Sequence, residues 1–153
     1  MTVIYLAFLI GLVSGLRTFM GLAAISWAAR LHWLPLGETK LAFLGYVVTP
    51  YVVSALALME LVTDQLPKTP SRTVPPQFIA RLLMGSLCGA AIGAASQSLL
   101  IGLLSGIAGN VVGTLGGAKV RALLANAFGK DMPAAFLEDA VAIGLAILVV
   151  TRF

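Results

Sequence analysis

Apolar residues fill this chain in long runs, and polar residues interrupt them at a few short places. A membrane-crossing helix needs about 20 mostly apolar residues, and the pattern predicts five such segments. The first runs from about Val3 to Ala29 and the second from about Leu41 to Val62, with Pro50 near its middle as an expected kink. Pro67, Pro70, Pro75 and Pro76 forbid a helix through the polar connector 63–77, and Pro75-Pro76 suits the start of a third helix. From Leu82 to Ala118 no residue is charged, which is too long for one span. Ser96-Gln97-Ser98 is the expected turn within it, giving spans of about 78–95 and 99–118. Lys119, Arg121, Lys130 and Asp131 mark the next loop, with Gly129 and Pro133 as helix breakers, and a last span covers about 134–150.

Two features modify this pattern. The first segment is longer than a bilayer core requires and carries Arg17 just after Gly11 and Gly15. It forms either one tilted helix with Arg17 facing protein, or a broken or re-entrant pair of half-helices meeting near Ser14–Thr18. Irregular backbone survives at membrane depth only against protein or a water-filled cavity. The second feature is glycine: Gly85, Gly89 and Gly93 on one segment and Gly102, Gly106, Gly109, Gly113 and Gly117 on the next each mark one helix face. Small residues on a face let membrane helices approach closely, within a subunit or between subunits.

Composition agrees with this reading. Of 153 residues, 59% are hydrophobic and 10% charged, with mean hydropathy +1.01, whereas soluble domains carry about 25% charged residues. The expectation is one all-α polytopic transmembrane bundle of about five spans, homo-oligomeric through its glycine faces, with membrane lipids as its solvent. The first segment has no signal-peptide layout and is expected to be retained. The net charge of +4 is scattered and gives no nucleic-acid surface. Lys68, Arg72, Arg81, Lys119, Arg121 and Lys130 fall on one side of the five-span layout and Arg30, Lys40 and Arg152 on the other. That bias predicts an inner (cytoplasmic) membrane protein with the connector 63–77 in the cytoplasm. Trp27 and Trp33 are expected at the opposite interface, with His32 between them as an ordinary solvated histidine.

The chemistry-bearing residues gather on one side. Glu60 and Asp64, four apart, share a helical face, and Lys68, Arg72, Arg81, Glu138 and Asp139 belong to the same end. Ionisable groups at the edge of a span usually pair and often mark a substrate path. The candidate substrate-binding set is therefore Arg17, Glu60, Asp64, Lys68, Arg72, Arg81, Glu138 and Asp139. Its arginines would hold an anionic solute or lipid headgroup, and Glu60 or Glu138 would serve as counter-charge or proton acceptor. The competing reading makes the same charges structural staples in a membrane scaffold or assembly factor. No catalytic set, metal-ligand spacing or nucleotide motif is present in the sequence, so no enzyme activity, metal or cofactor is expected. Cys88, the sole cysteine, reads as a small buried hydrophobe.

Three phrases, SGLRTFMGLAAISWAARLHWLPL, ELVTDQLPKTPSRTVPPQFIARLLMGSLCGA and LEDAVAIG, resemble the bacterial integral-membrane family catalogued as domain of unknown function 4126. The matching residues are Gly15, Leu16, Arg17, Glu60, Asp64, Pro67, Lys68, Thr69, Pro70, Ser71, Arg72, Arg81, Glu138 and Asp139. Gln65 stands where that pattern carries a lysine. The resemblance implies a multi-span membrane protein and no particular chemistry.

Overall fold

A computed structural model describes residues 2–66 and 71–152. The expectations for Pro67, Lys68, Thr69 and Pro70 lie outside the described residues. Among the described residues there are six α-helices, α1 (Thr2–Leu16), α2 (Thr18–Arg30), α3 (Thr49–Thr63), α4 (Pro75–Ala95), α5 (Leu99–Phe128) and α6 (Asp131–Val150), with a 3-10 turn at Ala42–Gly45. Three of them, α4, α5 and α6, are long and apolar enough to cross a membrane, while α1 and α3 are shorter apolar helices. The molecule is an all-α bundle of membrane type.

The first apolar segment is broken at Arg17, whose backbone is extended (φ −137°, ψ 115°) between α1 and α2. The two halves do not continue one another. Eleven residues of straight helix would separate Ile10 from Gly21 by about 16 Å, yet a Cβ on Gly21 would stand 3.2 Å from the Ile10 carbonyl oxygen. Thus α2 turns back past α1, and the segment is a helical hairpin with Arg17 at its apex. Its arms of 15 and 13 residues are about 22 and 20 Å long, shorter than a hydrocarbon core of about 30 Å. Of the two expected forms of this segment, the broken one is found.

Three other expectations change. Pro50 opens α3 rather than kinking its middle, because residues 41–48 form the 3-10 turn and bends. In the first helical turn the missing proline N–H has no intrahelical partner to lose. The expected loop at Lys119 and Arg121 is helix: α5 continues to Phe128 and stops at Gly129, whose φ of 70° suits a left-handed cap. Pro133 lies in the first turn of α6 and breaks nothing.

The glycine faces are filled inside one chain. A Cβ on Gly89 would stand 2.6 Å from the Gly106 Cα, and one on Gly15 would stand 2.7 Å from the Thr114 nitrogen. Gly85 and Gly93 likewise abut Asn110 and Gly102. Only hydrogen at these positions allows α1, α4 and α5 to pack backbone to backbone. The seam also sets direction: α1 runs parallel to α5, since Gly11 meets Gly106 and Gly15 meets Asn110, and α4 runs antiparallel to both, since Gly85 meets Asn110 and Gly93 meets Gly102. α3 lies outside this core. It packs chiefly on α2 and the 3-10 turn and buries only Pro50, Val53 and Ala57.

Candidate functional site

The apex of the α1–α2 hairpin places two helix ends within the bundle. The last carbonyls of α1 and the first N–H groups of α2 lack intrahelical partners, so other side chains must meet them. Arg81 on α4 donates through Nη1 to the Gly15 and Leu16 carbonyls at 3.1 and 3.0 Å. Thr114 on α5 donates to the Gly15 carbonyl at 3.3 Å. Across the break, Glu60 accepts the Thr18 N–H at 2.7 Å and the Phe19 N–H at 2.9 Å, one on each carboxylate oxygen. A cation thus faces the negative end of α1 and an anion the positive end of α2, as the helix dipoles favour. The two caps are themselves 3.4 Å apart, Arg81 Nη2 to Glu60 Oε1.

Arg17 is fully buried and held by two carboxylates from opposite directions. Its Nε donates to Asp139 Oδ1 on α6 at 2.6 Å, and its Nη1 pairs with Asp64 at the end of α3. Arg72 forms a two-pronged pair with Glu138, with Nη2 donating to Oε2 at 2.8 Å. Seven of the eight expected site residues therefore meet at one end of the bundle, and Lys68 lies outside the described residues. The cluster is not at the surface. Arg81 stands six residues into α4 and Asp139 eight residues into α6, about 9 and 12 Å along their axes.

Three members lie outside the expected set: Arg121, Asp131 and Asn110. Arg121 grips Asp131 with both Nε and Nη2, at 2.9 and 2.6 Å, and also donates to the Asp64 backbone carbonyl at 3.1 Å. Its Nη1 is 3.5 Å from Glu138. Asn110 was also missed: it is buried and donates to the Arg81 carbonyl at 2.8 Å, fixing the turn of α4 that carries the arginine. The available signal was spacing. Gly113, Gly117 and Arg121 continue the four-residue glycine rhythm, which puts Arg121 on the cluster face of a longer α5.

Among the described residues, four guanidinium groups and five carboxylates make up the network, a net charge of −1. Asp131 is exposed, but the other eight ions are buried or half-buried, and so many are tolerated only when mutual pairing offsets desolvation. Two cavities flank it. One of about 450 Å³ is lined by Asp64, Ser71, Arg72, Arg81, Arg121 and Asp131, and opens beside the start of α6. The other, about 470 Å³, lies between α2, α3 and α4 and reaches Thr18, Glu60 and Arg81 past Leu56 and Met59. Asp64, Leu66, Gln77 and Arg81 border both. Trp27 donates to Ser54 at 3.0 Å and packs edge-on against Tyr51. His32 stands exposed in the loop after α2, far in sequence and fold from these charges.

A bundle of apolar helices with a broken hairpin capped by buried charges defines a multi-pass, membrane-type helical protein. The family model described as domain of unknown function (DUF4126) matches residues 4–152, and the chain belongs to that family. No curated protein and no solved structure matches it.

Proposed function

We propose that the protein is a small transporter or channel-like protein, without enzymatic activity, that handles an anionic solute or an anionic lipid headgroup at the broken α1–α2 hairpin. One observation carries this reading: two half-helix ends meet within the bundle, beside Arg17 and Arg81 and between two cavities. Discontinuous helices whose N-termini point at an anion are a recurrent way to build substrate sites in membrane transporters. The basic residues of the cluster end, six against three, favour the cytoplasmic side for the 63–77 connector of an inner-membrane protein.

A second reading, a non-transporting scaffold or assembly factor, is favoured by a different observation. Each of the four guanidinium groups is already engaged by carboxylates or carbonyls. Counterflow of a panel of labelled anions, inorganic phosphate and small carboxylates included, in proteoliposomes separates the two. The transport reading expects uptake by the parent and its loss in folded Arg72→Gln and Arg81→Gln. Absence of uptake and of anion binding in the folded parent would assign the charges to structure alone.

A further inference from the structure

We propose that Glu60 and Asp64 are a built-in plug in this anion site, and that α3, which carries Glu60 and ends at Asp64, swings outward to exchange them for an external carboxylate or phosphate group. The proposal rests on the transport reading and gives it a gate. Glu60 occupies the cradle an anion would take: two backbone N–H groups at the start of α2 hold its oxygens at 2.7 and 2.9 Å, with Arg81 at 3.4 Å. Asp64 adds its pair with Arg17 and lies 3.8 Å from Arg81. With both carboxylates in place the network carries −1. Without them, four guanidinium groups face Asp131, Glu138 and Asp139 alone, and the charge becomes +1.

Two further observations make α3 the moving part. It packs chiefly on α2 and the 3-10 turn and buries only Pro50, Val53 and Ala57, against the glycine seam that locks α1, α4 and α5 backbone to backbone. Few buried contacts mean a low cost of local displacement. In addition, the 470 Å³ cavity lined by α2, α3 and α4 already leaves open space beside the Glu60–Arg81 contact. Arg81 is 2% exposed, and its Nε has no hydrogen-bond partner among the described residues. A buried donor left unmet is unfavourable, and an entering oxyanion would satisfy it.

The test measures inorganic phosphate binding and α3 position separately. In phosphatidylcholine nanodiscs, Glu60→Gln keeps one acceptor for α2 but loses the competing charge. It is expected to bind phosphate about tenfold tighter than the parent, the factor that about 1.4 kcal/mol represents, while Arg81→Gln binds none. Spin labels at Leu58→Cys on α3 and Ile79→Cys on α4, in a Cys88→Ala background, are expected to move apart as phosphate is added. Both label sites are exposed, so this arm does not depend on the folding of a charge variant. Movement on transfer to phosphatidylglycerol nanodiscs without phosphate would assign the site to a lipid headgroup, and movement with phosphate alone to a soluble anion. Equal affinity of the parent and Glu60→Gln, with binding still dependent on Arg81, would overturn the plug and leave the anion site standing. An unchanged label distance at saturating phosphate would overturn the swing. No binding of either probe by any folded variant would overturn the transport reading itself.

Discussion

Replacing Arg81 with methionine removes the group that closes the α1 end of the break. The substitution keeps length and apolar volume near the α4 backbone, so its cost is mainly electrostatic. Two carbonyls, Gly15 and Leu16, lose donors at 3.1 and 3.0 Å; leaving a buried acceptor unmet costs about 1–3 kcal/mol each. Glu60 also loses its cation at 3.4 Å, and removing one partner of a buried pair costs about 3–5 kcal/mol. These contributions overlap, because the freed carboxylate keeps its two backbone N–H donors and Thr114 still serves the Gly15 carbonyl. A total of about 4–6 kcal/mol is expected, a large share of the 5–15 kcal/mol that stabilises a typical domain. Arg81→Lys supplies the charge without the planar fork, and loss of one charge-assisted bond implies about 1.5–3 kcal/mol. Equilibrium unfolding of the purified protein in detergent, followed by circular dichroism, reads both values. A cost below about 1 kcal/mol for Arg81→Met would refute the capping argument, and a lysine variant as damaged as the methionine variant would refute the role given to charge.

Three further outcomes follow from the packing. Gly106→Ala is expected to lose more than about 2 kcal/mol, because its Cβ would stand 2.7 Å from the Gly89 Cα; Gly144→Ala, with open space around it, should gain up to about 1 kcal/mol, and thermal unfolding ranks the two. Arg72→Met and Glu138→Gln should each destabilise by about 3 kcal/mol or more, whereas the double variant should recover much of the loss; a double-mutant cycle checks this, and additivity would contradict the pairing. Trp27→Phe should cost about 1 kcal/mol by deleting the bond to Ser54, and Ser54→Ala should cost no further stability when added to it.

Hydropathy and punctuation foretold most of the helices, and charge placement foretold that Arg17, Glu60, Asp64, Arg72, Arg81, Glu138 and Asp139 share one end. Partner choice was not legible. Nothing in the order of residues says that Arg81 meets the end of α1 or that Glu60 meets backbone N–H groups at α2, because both depend on the hairpin that Arg17 creates. The break itself left a trace, a charged residue after two glycines, which was compatible with a bent or an unbroken helix. Apolar residues 41–48 looked helical because hydropathy does not distinguish a 3-10 turn from an α-helix. The extent of α5 was hidden for the opposite reason: Lys119 and Arg121 look like a loop until Arg121 is seen to have Asp131 and Glu138 to face.

The account depends most on the hairpin at Arg17. Its two arms require Thr2, Glu38 and Arg152 to share one membrane face, with Thr73 and Lys130 on the other. Single cysteines at these exposed positions, in a Cys88→Ala background and probed in sealed vesicles with an impermeant maleimide, test that arrangement directly. The account predicts that Thr2→Cys labels together with Glu38→Cys and Arg152→Cys. Labelling of Thr2→Cys together with Thr73→Cys and Lys130→Cys would show an unbroken first span and contradict it.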